Sequence, residues 1–234
     1  TNGFYLSFAD SANIGDDLSG NTNDWTANNL VSTDVVLDSP TNNYAVLNPL
    51  NKGSFVTLSD GNLRVSGNTT TNSAVVLGAI GMTSGKWYWE TNITTVAGIS
   101  YAGMGIAPAQ NNAENYFIIS GATGGCGWRN AGGSGGIGGF GNTSATYPTF
   151  TTGDVIGVAA DFDNGALYFS KNGTWINSGD PESGASKTGA TNVWTAGSIT
   201  GFPAGGGYNG NDNLLNFGQS PFAYTPPSGF LALN

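Results

Sequence analysis

No histidine occurs among the 234 residues. Ser-His-Asp and Cys-His nucleophilic chemistry are thereby excluded, and His-ligated metal sites with them. Only one cysteine, Cys126, is present, so no intrachain disulfide can staple the fold. A lone cysteine reads as a small buried hydrophobe. A reactive thiol needs a neighbour that stabilises the thiolate, and Arg129 is the one cation nearby in sequence. Basic residues are scarce as well. Lys52, Arg64, Lys86, Arg129, Lys171 and Lys187 stand singly against 15 acidic residues, for a formal net charge of −9. Without a basic patch, nucleic-acid binding through phosphate neutralisation has no footing, and neither has adhesion to an anionic membrane. No apolar run approaches the roughly 20 residues of a membrane helix; the longest, 74–82, has the length of a strand. No signal peptide is visible. The chain opens on Thr1 rather than Met, as expected of a processed product or a piece of a longer polypeptide.

Glutamate is rare too: Glu90, Glu114 and Glu182 are the full set. A sandwich glycosidase needs two carboxyl groups about 5–10 Å apart, and no E-x-D-x-x-E spacing occurs. Asp161 and Asp163 share a strand face at i, i+2, but they sit at the mouth of an Asn-Gly turn, where aspartate caps turns. The residues point away from an enzyme.

What the chain has is glycine, 38 residues of it, with 12% aromatic and 38% hydrophobic residues. That is enough apolar material for a packed fold, and a chain this long hides about 70% of its unfolded surface. The clearest pattern lies at 153–175, GDVIGVAADFDNGALYFSKNGTW. Ile156, Val158, Ala160 and Phe162 fall on one face of a first strand. Leu167 and Phe169 fall on one face of a second, with Tyr168 on the other. Asn164-Gly165 and Asn172-Gly173 have the composition of type I′ hairpin turns. In 85–96, GKWYWETNITTV, Trp87, Trp89, Thr91 and Ile93 share one face and Tyr88, Glu90 and Asn92 the other. A tryptophan pair of this kind is a core element or a sugar platform, and core is the commoner role.

Further short strands are expected at 54–58, 62–66, 74–79, 99–107, 114–120 and 193–199, and around Leu215 and Phe217. In the first 50 residues Phe4, Leu6 and Phe8 alternate as an edge or returning strand, and Trp25 is expected to pack back. Strands at spacings of roughly 8–15 residues, with turn signals between them and no helical periodicity, imply an all-β antiparallel sandwich. The chain reads as a single domain, 1–234, with 1–50 as a lead segment packed on the sandwich.

Candidate contact residues lie in the polar connections. The Gly-rich stretch 121–142 is either a flexible loop or closely packed backbone, and Trp128 and Arg129 in its middle are of the types that dominate interface hot spots. Tyr147, and Tyr208 in the Gly/Asn loop 201–213, suit sugar faces, as does Trp25. The loop 16–24, DDLSGNTND, is dense in side-chain oxygens. Asp16, Asp17 and Asp24 are candidate Ca²⁺ ligands, although the EF-hand spacing is absent and Asx-turns explain the same residues.

Four stretches resemble the successive hallmarks of the SPRY domain. They are SGKWYWE (84–90), GIA (105–107), GDVIGVAADFDNGALYFSKNG (153–173) and NFGQSPF (216–222). The resemblance implies a bent jelly-roll sandwich related to concanavalin A-like lectins, with Trp87, Trp89, Asp161 and Asn172 as fold determinants. The opening GFYLSF with DDLSGNTNDW is similar to laminin-G-like sandwiches. The composite, closing on PFAYTPPSGFLALN, looks like proteins of marine bacteriophages and bacteria. It implies a virion or extracellular setting, as a tail-fibre, receptor-binding or capsid-surface protein, or a secreted lectin-like adhesin. The expected partners are virion subunits or a host cell-surface glycan or protein, in a homo-oligomeric assembly, with no cofactor apart from the candidate Ca²⁺.

Overall fold

The computed structural model describes residues 3–10, 12–30, 34–35, 42–68, 74–97, 103–108, 125–131, 134–139 and 147–234. They divide into two compact units, Thr1–Asn42 and Asn43–Asn234.

The larger unit is a sandwich of two sheets. In chain order its strands are β1 (Leu47–Lys52), β2 (Val56–Ser59), β3 (Arg64–Gly67), β4 (Ala74–Gly78), β5 (Lys86–Thr95), β6 (Gly103–Ala107), β7 (Cys126–Ala131) and β8 (Ser134–Gly139). There follow β9 (Val155–Asp161), β10 (Ala166–Lys171), β11 (Thr174–Trp175), β12 (Asn192–Val193), β13 (Phe202–Gly207), β14 (Asp212–Asn216) and β15 (Leu231–Ala232). One sheet runs β1-β4-β13-β6-β7-β8; the other runs β11-β10-β9-β5-β14-β3-β2, with β12 on the free edge of β10. Among the described residues all pairings are antiparallel except that of β15, which lies parallel to β5 along Trp87 and Tyr88, just where β14 stops at Glu90.

Alternation in the central hairpin decides the layering. Val158 of β9 pairs with Trp89 on one side and Phe169 on the other, and all three are buried between the sheets. The next row turns over. Ala159 lies between Tyr88 and Tyr168, and these three belong to a second cluster on the opposite face with Ala166, Ala190 and Phe230. The small Ala159 side chain leaves room for the two tyrosine rings. Each such large side chain, fully buried, contributes about 1.5–3 kcal/mol. Burial pushes the Tyr88 hydroxyl well above its ordinary pKa, and the neighbouring Glu90 charge adds to the shift. The sheet is therefore covered on both faces, and its tryptophans serve packing, as the sequence pattern indicates.

Four expectations are corrected. Asn172 and Gly173 both have positive φ and form the two-residue turn between Lys171 and Thr174, but Asn164 does not have positive φ. The β9–β10 loop has four residues, with Gly165 alone in the left-handed region and its N–H bonded to the Asp161 carbonyl at 2.8 Å. Asp161 holds that loop through Asn164, accepting from its N–H at 2.9 Å and its side-chain amide at 2.8 Å. Second, 201–213 is not all loop, because Phe202–Gly207 forms β13. Its glycines allow close approach: a Cβ on Gly207 would lie 2.6 Å from the Gly67 nitrogen of the opposite sheet. Third, of 193–199 only Val193 pairs in a strand, as the second residue of β12 (Asn192–Val193). Fourth, residues 3–10 join no ladder and Trp25 is exposed. Backbone groups there bond instead to Asp17 and to neighbouring turns. The strand expected at 114–120 lies outside the described residues.

Candidate functional site

With both faces of the β5-β9-β10 region covered, connecting segments are what the sandwich can offer a partner. Register shows which of them share an end. Asp212 pairs with Thr95 and Ser66, Asn92 with Val155, Ile156 with Lys171, and Lys171 with Thr174. The turn between β13 and β14, the connection leading into β9 and the Asn172-Gly173 turn therefore gather at one end.

The first of these is a third Asn-Gly turn. Asn209 and Gly210 both have positive φ, and the Asn211 N–H closes the turn on the Tyr208 carbonyl at 2.9 Å. Asn211 anchors it, donating its side-chain amide to the same carbonyl and accepting from the Ala97 N–H at 2.8 Å. Tyr208, half-buried, sits at its start. Arg129, also half-buried, reaches the same end of the other sheet, since it pairs with Gly103.

At the β10–β11 edge lies an open depression of about 370 Å³, bounded by Pro148, Lys171, Trp175, Ile176 and Asn177 among others. Its polar wall is set by Asp154. One carboxylate oxygen accepts from the Lys171 ammonium at 2.8 Å and from the Thr151 N–H at 2.7 Å; the other accepts from the Asn172 amide at 2.7 Å. Burial works to raise the Asp154 carboxyl, but these donors together outweigh it and hold the group below its usual value. Lys171 also donates to the Thr149 carbonyl at 2.9 Å, and the Val155 N–H donates to Asn172 Oδ1 at 2.8 Å. The wall is thus rigid before any ligand arrives.

The residues expected to make contacts fare differently. Trp128 is fully buried in β7, its ring 5.6 Å from Phe150 and 6.0 Å from Phe169, so it is a core residue and not an anchor. Tyr147 is buried as well. Alternation turns Trp128 inward and leaves Arg129 on the other face, a period the many glycines of 121–142 conceal. Within that stretch the described residues Cys126–Ala131 and Ser134–Gly139 pair as antiparallel strands and so are packed backbone. A Cβ on Gly105 would lie 2.1 Å from the Cys126 carbonyl oxygen. Trp175 was not singled out in the sequence; its signal is an aromatic on a two-residue edge strand just past an Asn-Gly turn.

Asp16, Asp17 and Asp24 lie in the smaller unit. Asp17 Oδ1 accepts from the Tyr5 and Ser19 N–H groups, both at 2.8 Å, and Oδ2 accepts from the Ser19 hydroxyl at 2.8 Å and the Asn23 N–H at 3.0 Å. The Tyr5 N–H is the main influence holding its carboxyl far below the usual range, against burial. Asp24 accepts from the Asp17 N–H at 2.9 Å. The Asp17 and Asp24 carboxylates close turns. Among the described residues no group of three or more Cys, Asp or Glu side chains is placed to hold a metal ion.

The remaining buried acids are occupied in the same way. Glu90 accepts from the Tyr88 hydroxyl and from two backbone N–H groups, while Asp161 caps its loop and faces the Lys86 ammonium at 3.4 Å. Residues 86–179 match the SPRY domain family. The SPRY domain of human HERC1 is similar in structure, at 18% identity and a TM-score of 0.52, over 72% of this chain and 96% of that one. The PSpry domain of TRIM65 is similar at 14% identity and a TM-score of 0.53, over 74% of this chain and 90% of that one. At such identities the likeness concerns the fold. No curated protein matches the chain. Trp87, Trp89, Asp161 and Asn172, expected from the SPRY pattern as fold determinants, are packed or hydrogen-bonded in those roles.

Proposed function

We propose that this chain is a non-enzymatic binding module of a virion, in a tail fibre, receptor-binding protein or capsid surface, and that it contacts a glycan or protein through the end of the sandwich carrying Tyr208 and Trp175. SPRY domains are protein-interaction scaffolds, which supports a binding role. The observation that carries the reading is the depression beside Trp175. It combines an apolar floor with amide, hydroxyl and ammonium groups on a wall fixed by Asp154. Pockets of this make-up orient ligands through a few convergent polar groups, and binding residues concentrate on connections held by a rigid scaffold.

The test is Trp175→Ala with Tyr208→Ala, assayed by glycan array and by binding to host cells. Binding is expected to fall at least tenfold with the melting temperature nearly unchanged. Full binding by the double variant would reject this end as the site. Immunogold microscopy of intact particles tests the virion setting separately.

A further inference from the structure

The smaller unit is built inside out. Phe4, Tyr5, Phe8, Leu18, Trp25 and Leu30 are each at least half exposed, with Tyr5 at 59% and Trp25 at 58%. Among the described residues of Thr1–Asn42 only Ile14 and Asp17 are buried. The interior is thus organised on a carboxylate rather than on hydrocarbon. The Tyr5, Ser19 and Asn23 N–H groups all converge on Asp17. The Leu18 N–H bonds to the Tyr5 carbonyl at 2.8 Å and the Trp25 N–H to the Gly15 carbonyl at 2.8 Å. The Phe4 and Trp25 rings meet edge to face, 5.4 Å apart. This polar frame fixes the backbone while the large apolar side chains project outward. Phe4 and Trp25 thus form a joined, exposed aromatic pair, and large exposed apolar patches mark interaction sites.

Charge selects the partner. Residues 1–42 contain six aspartates and no lysine or arginine. Two copies meeting through this unit would bring together two segments that carry acidic residues and no basic ones. The rest of a second copy, with nine acids and six bases, offers no cationic complement. We propose that Phe4, Tyr5, Leu18 and Trp25 form a docking surface for a separate protein whose contact face is apolar and ringed by lysine or arginine. The apolar side chains supply the burial, and the negative charge of the segment supplies orientation and speed of encounter.

The probe is an amphipathic lysine–leucine helical peptide, titrated into the full chain with Trp fluorescence as the readout, beside a lysine–serine peptide of equal charge. The first is expected to bind, more weakly as salt rises, and the second not. Phe4→Ser with Trp25→Ser is expected to cost at least tenfold, whereas Leu50→Ser, an exposed apolar side chain of the sandwich, changes nothing. Asp16→Lys, which leaves the hydrogen-bonded frame intact, should weaken binding and flatten its salt dependence even if the double variant proves unfolded. Equal binding of both peptides, or binding unaltered by Asp16→Lys, overturns the proposal. So does dimerisation of the wild type through this face, or glycan capture that disappears in the double variant.

Discussion

The buried carboxylate of Glu90 accepts the backbone N–H of Tyr224 at 2.8 Å, across 134 residues of sequence. Its other oxygen accepts the Ala223 N–H at 2.7 Å, and the Tyr88 hydroxyl donates to the first oxygen at 2.9 Å. An acid in the middle of β5 thus fastens the C-terminal segment over the outer sheet face. Glu90→Ala strands three donors, each costing about 1–3 kcal/mol. The variant is expected to lose about 3–5 kcal/mol in urea unfolding, and Glu90→Gln distinctly less. Wild-type stability of Glu90→Ala would show that the clamp does not hold the segment.

Trp128 makes the second case. Its full burial against Phe150 and Phe169 predicts a loss of about 3–5 kcal/mol for Trp128→Ala. An interface role predicts instead a normal melt with weakened binding, so calorimetry separates the two.

The Cys126 thiol is fully buried, and burial pushes its pKa far above the ordinary thiol value. Since the thiolate is the nucleophile, no reaction with Ellman's reagent is expected in the native chain at pH 8, and complete reaction in denaturant. Labelling in the folded state at the rate of a free thiol would contradict the packing of β7.

Asp17 gives the smaller unit a pH dependence whose sign follows from its depressed pKa. A carboxyl with a folded pKa below its unfolded one contributes stability that is present above the unfolded value, about 3.9. That contribution is lost as pH falls through the folded value. Amide protection of Tyr5, Ser19 and Asn23 should persist at pH 5 and fade as acid is added below pH 4. Because the donors around Asp17 already occupy both oxygens, a chelator is expected to leave the melting curve where it was.

Glycine substitutions distinguish a crowded turn from an open one. Gly173 has φ of 77° and a Cβ there would lie 2.5 Å from the Tyr224 ring, whereas Gly153 has φ of 91° and open space around it. Gly153→Ala is expected to cost about 1 kcal/mol, and Gly173→Ala clearly more in the same thermal melt.

The sandwich was legible where period-2 patterning is dense. Ile156, Val158, Ala160 and Phe162 face the core as their alternation indicates, and Tyr168 faces away. Legibility failed where glycine replaces side chains. The β13 strand, Phe202–Gly207, shows no alternation because its glycines are there for close sheet contact. The same dilution hid Trp128 in a strand and made it look like a loop anchor. The depression beside Trp175 depends on Pro148 and Lys171 meeting across the fold, which one strand's pattern cannot show. In the first 30 residues alternation misled, since hydrogen bonds to Asp17 replace a ladder.

The parallel pairing of β15 with β5 has a consequence for how the protein is made. The rows around Tyr88 and Tyr168 are translated long before Phe222 and Phe230, which help to cover them. A nascent chain on the ribosome carries a bare, sticky aromatic face until those late residues emerge. The interval between the two is when chaperones have most to guard.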